Sequence, residues 1–140
     1  MFFVYRFFTI IFYPLLIILV FFRKILKKEN YRYKEKIFKK KNLKEKLKKN
    51  FVVWFHAASI GEVNSIIPLI QLMIKKESKI KIIITTITVS SSEIVENEFK
   101  DNSNISHHFL PLDVPHLVKD FIYNCNPNLI IFVDSEIWPN

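Results

Sequence analysis

The stretch HAASIGE, His56–Glu62, contains the single glycine of the 140-residue chain, Gly61, with a carboxylate directly after it. It follows the apolar run FVVWF, Phe51–Phe55. Where a strand turns sharply into a helix, small residues such as Ala57, Ala58, Ser59 and Gly61 let a ligand approach the backbone closely. Free N–H groups at a helix start favour an anion or an ionised carboxylate. Glu62 therefore reads either as a general base or as a first-turn acid that complements the helix dipole. The local sequence leaves both readings open.

Two more stretches carry polar chemistry. TTITVSSSE is dense in hydroxyls: Thr86 and Thr88 can bind a sugar or a phosphate, whereas Ser90, with Glu93 three residues on, fits a capping box. DSEIWPN sets Asp134 and Glu136 beside Trp138, and Pro139 blocks ordinary helix continuation. Paired acids beside an aromatic can hold a hydroxylated ligand; a solvated loop around a packed tryptophan is the alternative. The histidines are not spaced as metal ligands. His107 and His108 are adjacent on an extended segment and point to opposite faces. His56 and His107 read as phosphate contacts or as partly buried strand residues. No HxxxH or CxxC spacing occurs, and Cys125 is the sole cysteine, so neither an internal disulfide nor a cysteine-rich zinc site can form. GxGxxG, Gly-Lys-Ser/Thr and GxSxG are all absent.

These residues need a scaffold, and the hydropathy pattern supplies one. FVVWF, KIIITT (Lys81–Thr86), LIIFVD (Leu129–Asp134) and the weaker HHFLPL (His107–Leu112) are continuous apolar runs, the pattern of strands buried on both faces. Between them lie helical segments over Glu62–Lys76, Ser90–Phe99 and Val114–Tyr123. Alternating strands and helices predict an α/β domain with a Rossmann-like parallel sheet. Ligands in such sheets bind beyond the carboxyl ends of the strands, which is where all three polar stretches fall.

The first 50 residues differ in texture. Residues 1–22, MFFVYRFFTIIFYPLLIILVFF, are apolar apart from Arg6, Thr9 and the tyrosines, and predict a membrane-anchor helix. Arg23, Lys24, Lys27 and Lys28 follow at once, which places the C-terminal side in the cytoplasm. A cleaved signal peptide lacks support, because no small-residue cleavage site follows. Residues 23–50 read as a basic linker in which Ile37, Phe38, Leu43 and Leu47 recur at loosely helical spacing, suited to an anionic membrane surface. Residues 51–140 form the α/β domain. The formal net charge of +8 points to anionic partners. A nucleic-acid arm is disfavoured: only Tyr31 and Tyr33 offer stacking faces there, and a membrane segment precedes them.

HAASIGEVN, TTITVSS, FLPLDVP (Phe109–Pro115) and NLIIFVDSEIWPN, in that order and spacing, resemble the N-terminal half of 3-deoxy-D-manno-octulosonic acid (Kdo) transferases. The likeness runs from about Val53 to Asn140. The resemblance implies an inverting GT-B glycosyltransferase at the bacterial inner membrane, with its catalytic domain on the cytoplasmic side. It implies transfer of Kdo from CMP-Kdo to a lipid A precursor, with no metal or other cofactor at the reacting centre. It also implies that Glu62 is the catalytic base and that Glu136 lines the cleft; Ser59, Gly61, Thr86 and Thr88 join them as substrate-binding candidates. The donor would then bind in a C-terminal domain beyond Asn140, so this chain reads as a fragment. The alternative is a membrane-anchored module that binds anionic lipid without chemistry. The chain departs from the family pattern at Ile87, where glycine is frequent, and at Asp134, where glutamate is common.

Overall fold

The computed structural model describes residues 2–37 and 50–133; the expectations for residues 38–49, including Phe38, Leu43 and Leu47, and for Asp134, Glu136, Trp138 and Pro139 lie outside the described residues. Helix α1 spans Phe2–Ile11 and α2 Tyr13–Ile25. A short 3-10 turn covers Tyr33–Lys36. The domain then runs β1 (Val52–His56), α3 (Ile60–Lys76), β2 (Lys81–Thr86), α4 (Val89–Phe99), β3 (Ile105–Phe109), α5 (Pro115–Cys125) and β4 (Leu129–Phe132). All strand pairs are parallel, in the order β3-β2-β1-β4. That is the first four places of the 3-2-1-4-5-6 order of doubly wound nucleotide-binding sheets.

The sequence of β1 explains its central place. All five residues, VVWFH, are buried. Val53 and Phe55 pack with Ile82 and Ile84 against Val63, Ile66 and Ile70 of α3 and Val95 of α4. Val52 and Trp54 pack on the other face with Cys125 and Phe121 of α5. Alternate side chains point to opposite faces, so a strand covered by helices on both sides has no solvent-facing positions. Each fully buried aliphatic or aromatic side chain contributes roughly 1.5–3 kcal/mol. Strand β3 starts two residues earlier than the expected HHFLPL run and stops at Phe109. Pro111 has no N–H for a ladder, and Leu110–Val114 leaves the sheet.

The apolar N-terminus forms two helices rather than one. α1 and α2 meet at a bend of 56°, and no single helix among the described residues is long and apolar enough to cross a membrane, although the bent pair together is. Pro14 is the physical reason. It stands in the first turn of α2, where its missing N–H costs nothing, but it can give no hydrogen bond to the carbonyl four residues back. Tyr13, Ile17 and Val20 form one stripe of α2 that meets the domain. Val20 and Ile17 pack with Tyr33, Ile37 and Leu112, and the Tyr13 hydroxyl donates to the Ile37 carbonyl at 2.7 Å. The Tyr5 hydroxyl donates to Asp113 Oδ2, also at 2.7 Å.

Candidate functional site

Because every strand is parallel, the chain leaves β1, β2, β3 and β4 at the same rim. β2 and β3 lie to one side of β1 and β4 to the other. β1, whose chain runs on towards β2, and β4 thus flank the point where the strand order reverses, the crevice in which such sheets bind ligands. The HAASIGE turn forms one wall. At the crevice, the Val133 N–H donates to the His56 carbonyl at 2.9 Å, which ties the end of β4 to the end of β1.

The turn is held by its own side chains. Ser59 is extended (φ −113°, ψ 166°) and caps α3, its hydroxyl accepting from the Glu62 N–H at 3.3 Å. The Glu62 carboxylate reaches back: Oε2 accepts from the Ala58 N–H at 2.8 Å and Oε1 from the Ser59 hydroxyl at 2.6 Å. This is a close relative of the capping box, shifted by one residue on the glutamate side. It takes up two of the roughly four lone-pair directions of a carboxylate. Glu62 is half-buried. Gly61 is exposed and does not have a positive φ, and a Cβ placed on it would meet only Ser59 Oγ, at 4.0 Å. The backbone thus has no need of a glycine at this position.

Thr86 and Thr88, at and after the end of β2, are hydrogen-bonded within the chain. Thr86 is buried, with Oγ1 2.9 Å from His107 Nε2. Thr88 is the N-cap of α4: its side chain accepts from the Ser91 N–H at 3.2 Å and lies 2.7 Å from Ser91 Oγ. The capping box expected at Ser90 is therefore corrected to a cap at Thr88. The helix begins two residues earlier, which leaves Ser90 exposed within its first turn. Thr85, which the sequence reading passed over, ties the centre of the rim together. Its hydroxyl accepts from Trp54 Nε1 at 2.8 Å and lies 2.9 Å from His56 Nδ1. His56 is fully buried, and both ring nitrogens of His107 have protein partners, with Arg32 at Nδ1 (3.1 Å). Both histidines match the buried-strand reading. Among the described residues, no group of three or more His, Cys, Asp or Glu side chains is placed to hold a metal.

A second polar network was hidden in the stretch read as a linker. Glu29 and Lys36 are 8% and 7% exposed and joined at 2.6 Å, so residues 29–37 are packed onto the rim rather than solvated. Arg23 Nε adds a 3.0 Å bond to Glu29, and Lys36 Nζ donates to the Ile87 carbonyl at 3.0 Å. Arg32 grips both oxygens of Glu35 at 2.9 Å, pairs with Glu96, and donates to the His107 carbonyl at 2.7 Å. Burial lowers the pKa of Lys36, opposed by its bond to Glu29. The available signal was compositional: Glu29 and Glu35 are rare acids among many lysines, with Tyr31 and Tyr33 between them.

Comparison with known proteins bears on the same rim. The family described as 3-deoxy-D-manno-octulosonic-acid transferase (kdotransferase) matches residues 29–140, so the match begins within the docked 29–37 segment. A 3-deoxy-D-manno-octulosonic acid transferase of Rickettsia bellii is 30% identical over 136 residues, 96% of this chain and 31% of that protein. A Haemophilus influenzae protein of the same name is 38% identical over 88 residues, 63% of this chain and 20% of its own. A probable mitochondrial 3-deoxy-D-manno-octulosonic acid transferase of Arabidopsis thaliana is 38% identical over 89 residues, 64% of this chain and 20% of its own. The chain spans about a fifth to a third of the length of these relatives.

Proposed function

The chain belongs to the 3-deoxy-D-manno-octulosonic-acid transferase family, and on that premise we propose that it is the acceptor-side part of a GT-B enzyme that transfers Kdo from CMP-Kdo to a lipid A precursor in lipopolysaccharide synthesis. The observation that carries this reading is the position of HAASIGE at the point between β1 and β4 where the strand order reverses, in a chain whose family match covers residues 29–140.

In the proposed reaction, Glu62 accepts the proton of an acceptor sugar hydroxyl as that oxygen attacks the anomeric carbon of Kdo. The bond to CMP breaks on the opposite side, CMP carries away the electron pair, and the configuration inverts. The logic is that of the base in inverting glycosidases, with a sugar hydroxyl in place of water. Ser59 and the Ala58 N–H orient the carboxylate, and the open space over Gly61 admits the acceptor. Glu136 joins Glu62 as the second acid of the cleft, as the family resemblance implies. Thr86, bonded to His107, and Thr88, at the start of α4, are the substrate-binding hydroxyls in this reading. CMP-Kdo is held by a second domain, and the chemistry uses no metal.

The same reading places the protein at the inner membrane with the sheet on the cytoplasmic side. α1 and α2 support it, because Phe3 (89% exposed), Phe7, Phe8, Leu15, Ile18 and Phe22 present large apolar side chains outward. Apolar surface on that scale marks a membrane or protein contact. The test is transfer of labelled Kdo from CMP-Kdo to a lipid A precursor by the intact protein, wild type against Glu62→Gln. Equal turnover by the two would remove Glu62 as the base; no transfer by the wild type would remove the substrate assignment.

A further inference from the structure

A cavity of about 470 Å³ lies between α2 and the α5 face of the sheet. Leu19 and Val20 of α2 line it on one side and Val118 and Ile122 of α5 on another, with Trp54 and Phe132 contributed by the strands. Its size falls in the range of about 300–1,000 Å³ that small apolar ligands occupy. α2 is thus both a wall of the cavity and part of the exposed apolar surface: Ile18, Leu19, Phe21 and Phe22 are all about half exposed.

The cavity is not apolar throughout. Arg23, Glu29 and Lys36 also line it. Arg23 and Glu29 belong as well to an adjoining polar cleft of about 510 Å³, together with Lys27, Lys28 and Glu93. Glu29 is already paired with Arg23 and Lys36. Against Glu29, Glu93 and Asp113, which also lines the cavity, stand four cations (Arg23, Lys27, Lys28 and Lys36), so the junction carries net positive charge. Lys27 and Lys28 are exposed, and Arg23 is 46% exposed. An apolar slot that ends at exposed cations complements a molecule with a hydrocarbon tail and an anionic head. The cations directly follow the apolar helix, at the level where headgroups sit if α2 lies in a membrane.

We propose that this cavity takes one acyl chain of an anionic bilayer phospholipid, whose phosphate sits over Arg23, Lys27 and Lys28. The bilayer as source rests on the membrane placement proposed above; the cavity itself is judged separately. The probe is a phosphatidylglycerol with a diazirine in its acyl chain, supplied to the intact protein in mixed detergent micelles. After photolysis, labelled peptides are mapped by mass spectrometry. Labelling is expected on residues 110–122 and on Leu19 or Val20. It should fall to background in Val118→Trp and, from the opposite wall, in Leu19→Trp, each shown to be folded by its thermal midpoint. Lys27→Glu with Lys28→Glu should reduce labelling by this probe more than by a diazirine phosphatidylcholine. Label confined to outward positions such as Phe7 and Phe8, unchanged in both tryptophan variants, would overturn the proposal. So would no label in the cavity, which would mean that the chain itself fills it. Co-sedimentation with vesicles tests the membrane placement on its own: its loss would sink the bilayer source while the labelling pattern still decides the cavity.

Discussion

As the proposed base and as a cap of its own turn, Glu62 has two roles that a single substitution can separate. Its carboxylate accepts from the Ala58 N–H and the Ser59 hydroxyl, and glutamine can still accept at that position, as it does in capping boxes. Glutamine cannot take up a proton as a carboxylate does. Glu62→Gln should therefore keep its thermal midpoint while Kdo transfer falls by roughly 10²–10⁴, the usual contribution of a general base. Gly61 makes the complementary case. A methyl group has room there and the backbone is not left-handed, so Gly61→Ala should stabilise the fold by up to about 1 kcal/mol. If the glycine exists for ligand approach, the same variant should bind or turn over acceptor less well. Unchanged KM and kcat would show that the glycine serves no ligand.

At the level of elements, Thr88 rather than Ser90 sets the start of α4. Thr88→Ala should cost about 1 kcal/mol, the usual loss on deleting an N-cap, whereas exposed Ser90→Ala should stay within about 0.5 kcal/mol; chemical denaturation of both variants checks the pair. The misreading is instructive. Ser90 and Glu93 satisfy the capping pattern locally, but the end of β2 at Thr86 fixes where the next helix starts, and pairing with β1 and β3 determines that end. The central strands were legible because burial on both faces makes their runs largely apolar, and KIIITT was delimited to the residue, whereas β4 is apolar but mostly exposed. The position of HAASIGE after β1 was legible for the same reason. What the pattern did not show depends on contacts distant in sequence. Glu29 and Lys36 look like members of a solvated run until the rim buries them, and the role of Thr85 emerges only when β1 lies beside it. The bend at Pro14 is the exception, since it depends on no distant contact: the proline itself removes the N–H that a continuous helix would use.

Across the whole molecule, the Arg23–Glu29–Lys36 network fastens the N-terminal helices to the rim of the sheet, through Lys36 and the Ile87 carbonyl. Removing one member of a buried ion pair typically costs 3–5 kcal/mol, so Lys36→Ala should be far more damaging than Lys34→Ala, at an exposed position two residues away. Lys36 also predicts a pH signature. Burial holds its pKa below the usual 10.5, so between the folded value and 10.5 the unfolded chain binds more protons than the folded one. Stability should therefore rise with pH across that window and gain nothing more from Lys36 above it. Urea midpoints measured from neutral pH to about pH 11 should show this rise in the wild type relative to Lys36→Met; parallel profiles would contradict it. The strand order has a further consequence, in time. β1 lies between β2 and β4, and the Val52 N–H is held by Asn128, 76 residues later in the chain. At about 5–20 residues per second, translation leaves one edge of β1 without its partner for roughly 4–15 s after that strand has been made. That edge belongs to a wholly buried apolar strand, the kind that recruits other chains. The newborn protein is therefore most vulnerable to misassembly along the seam between β1 and β4, at the end of which the HAASIGE turn stands.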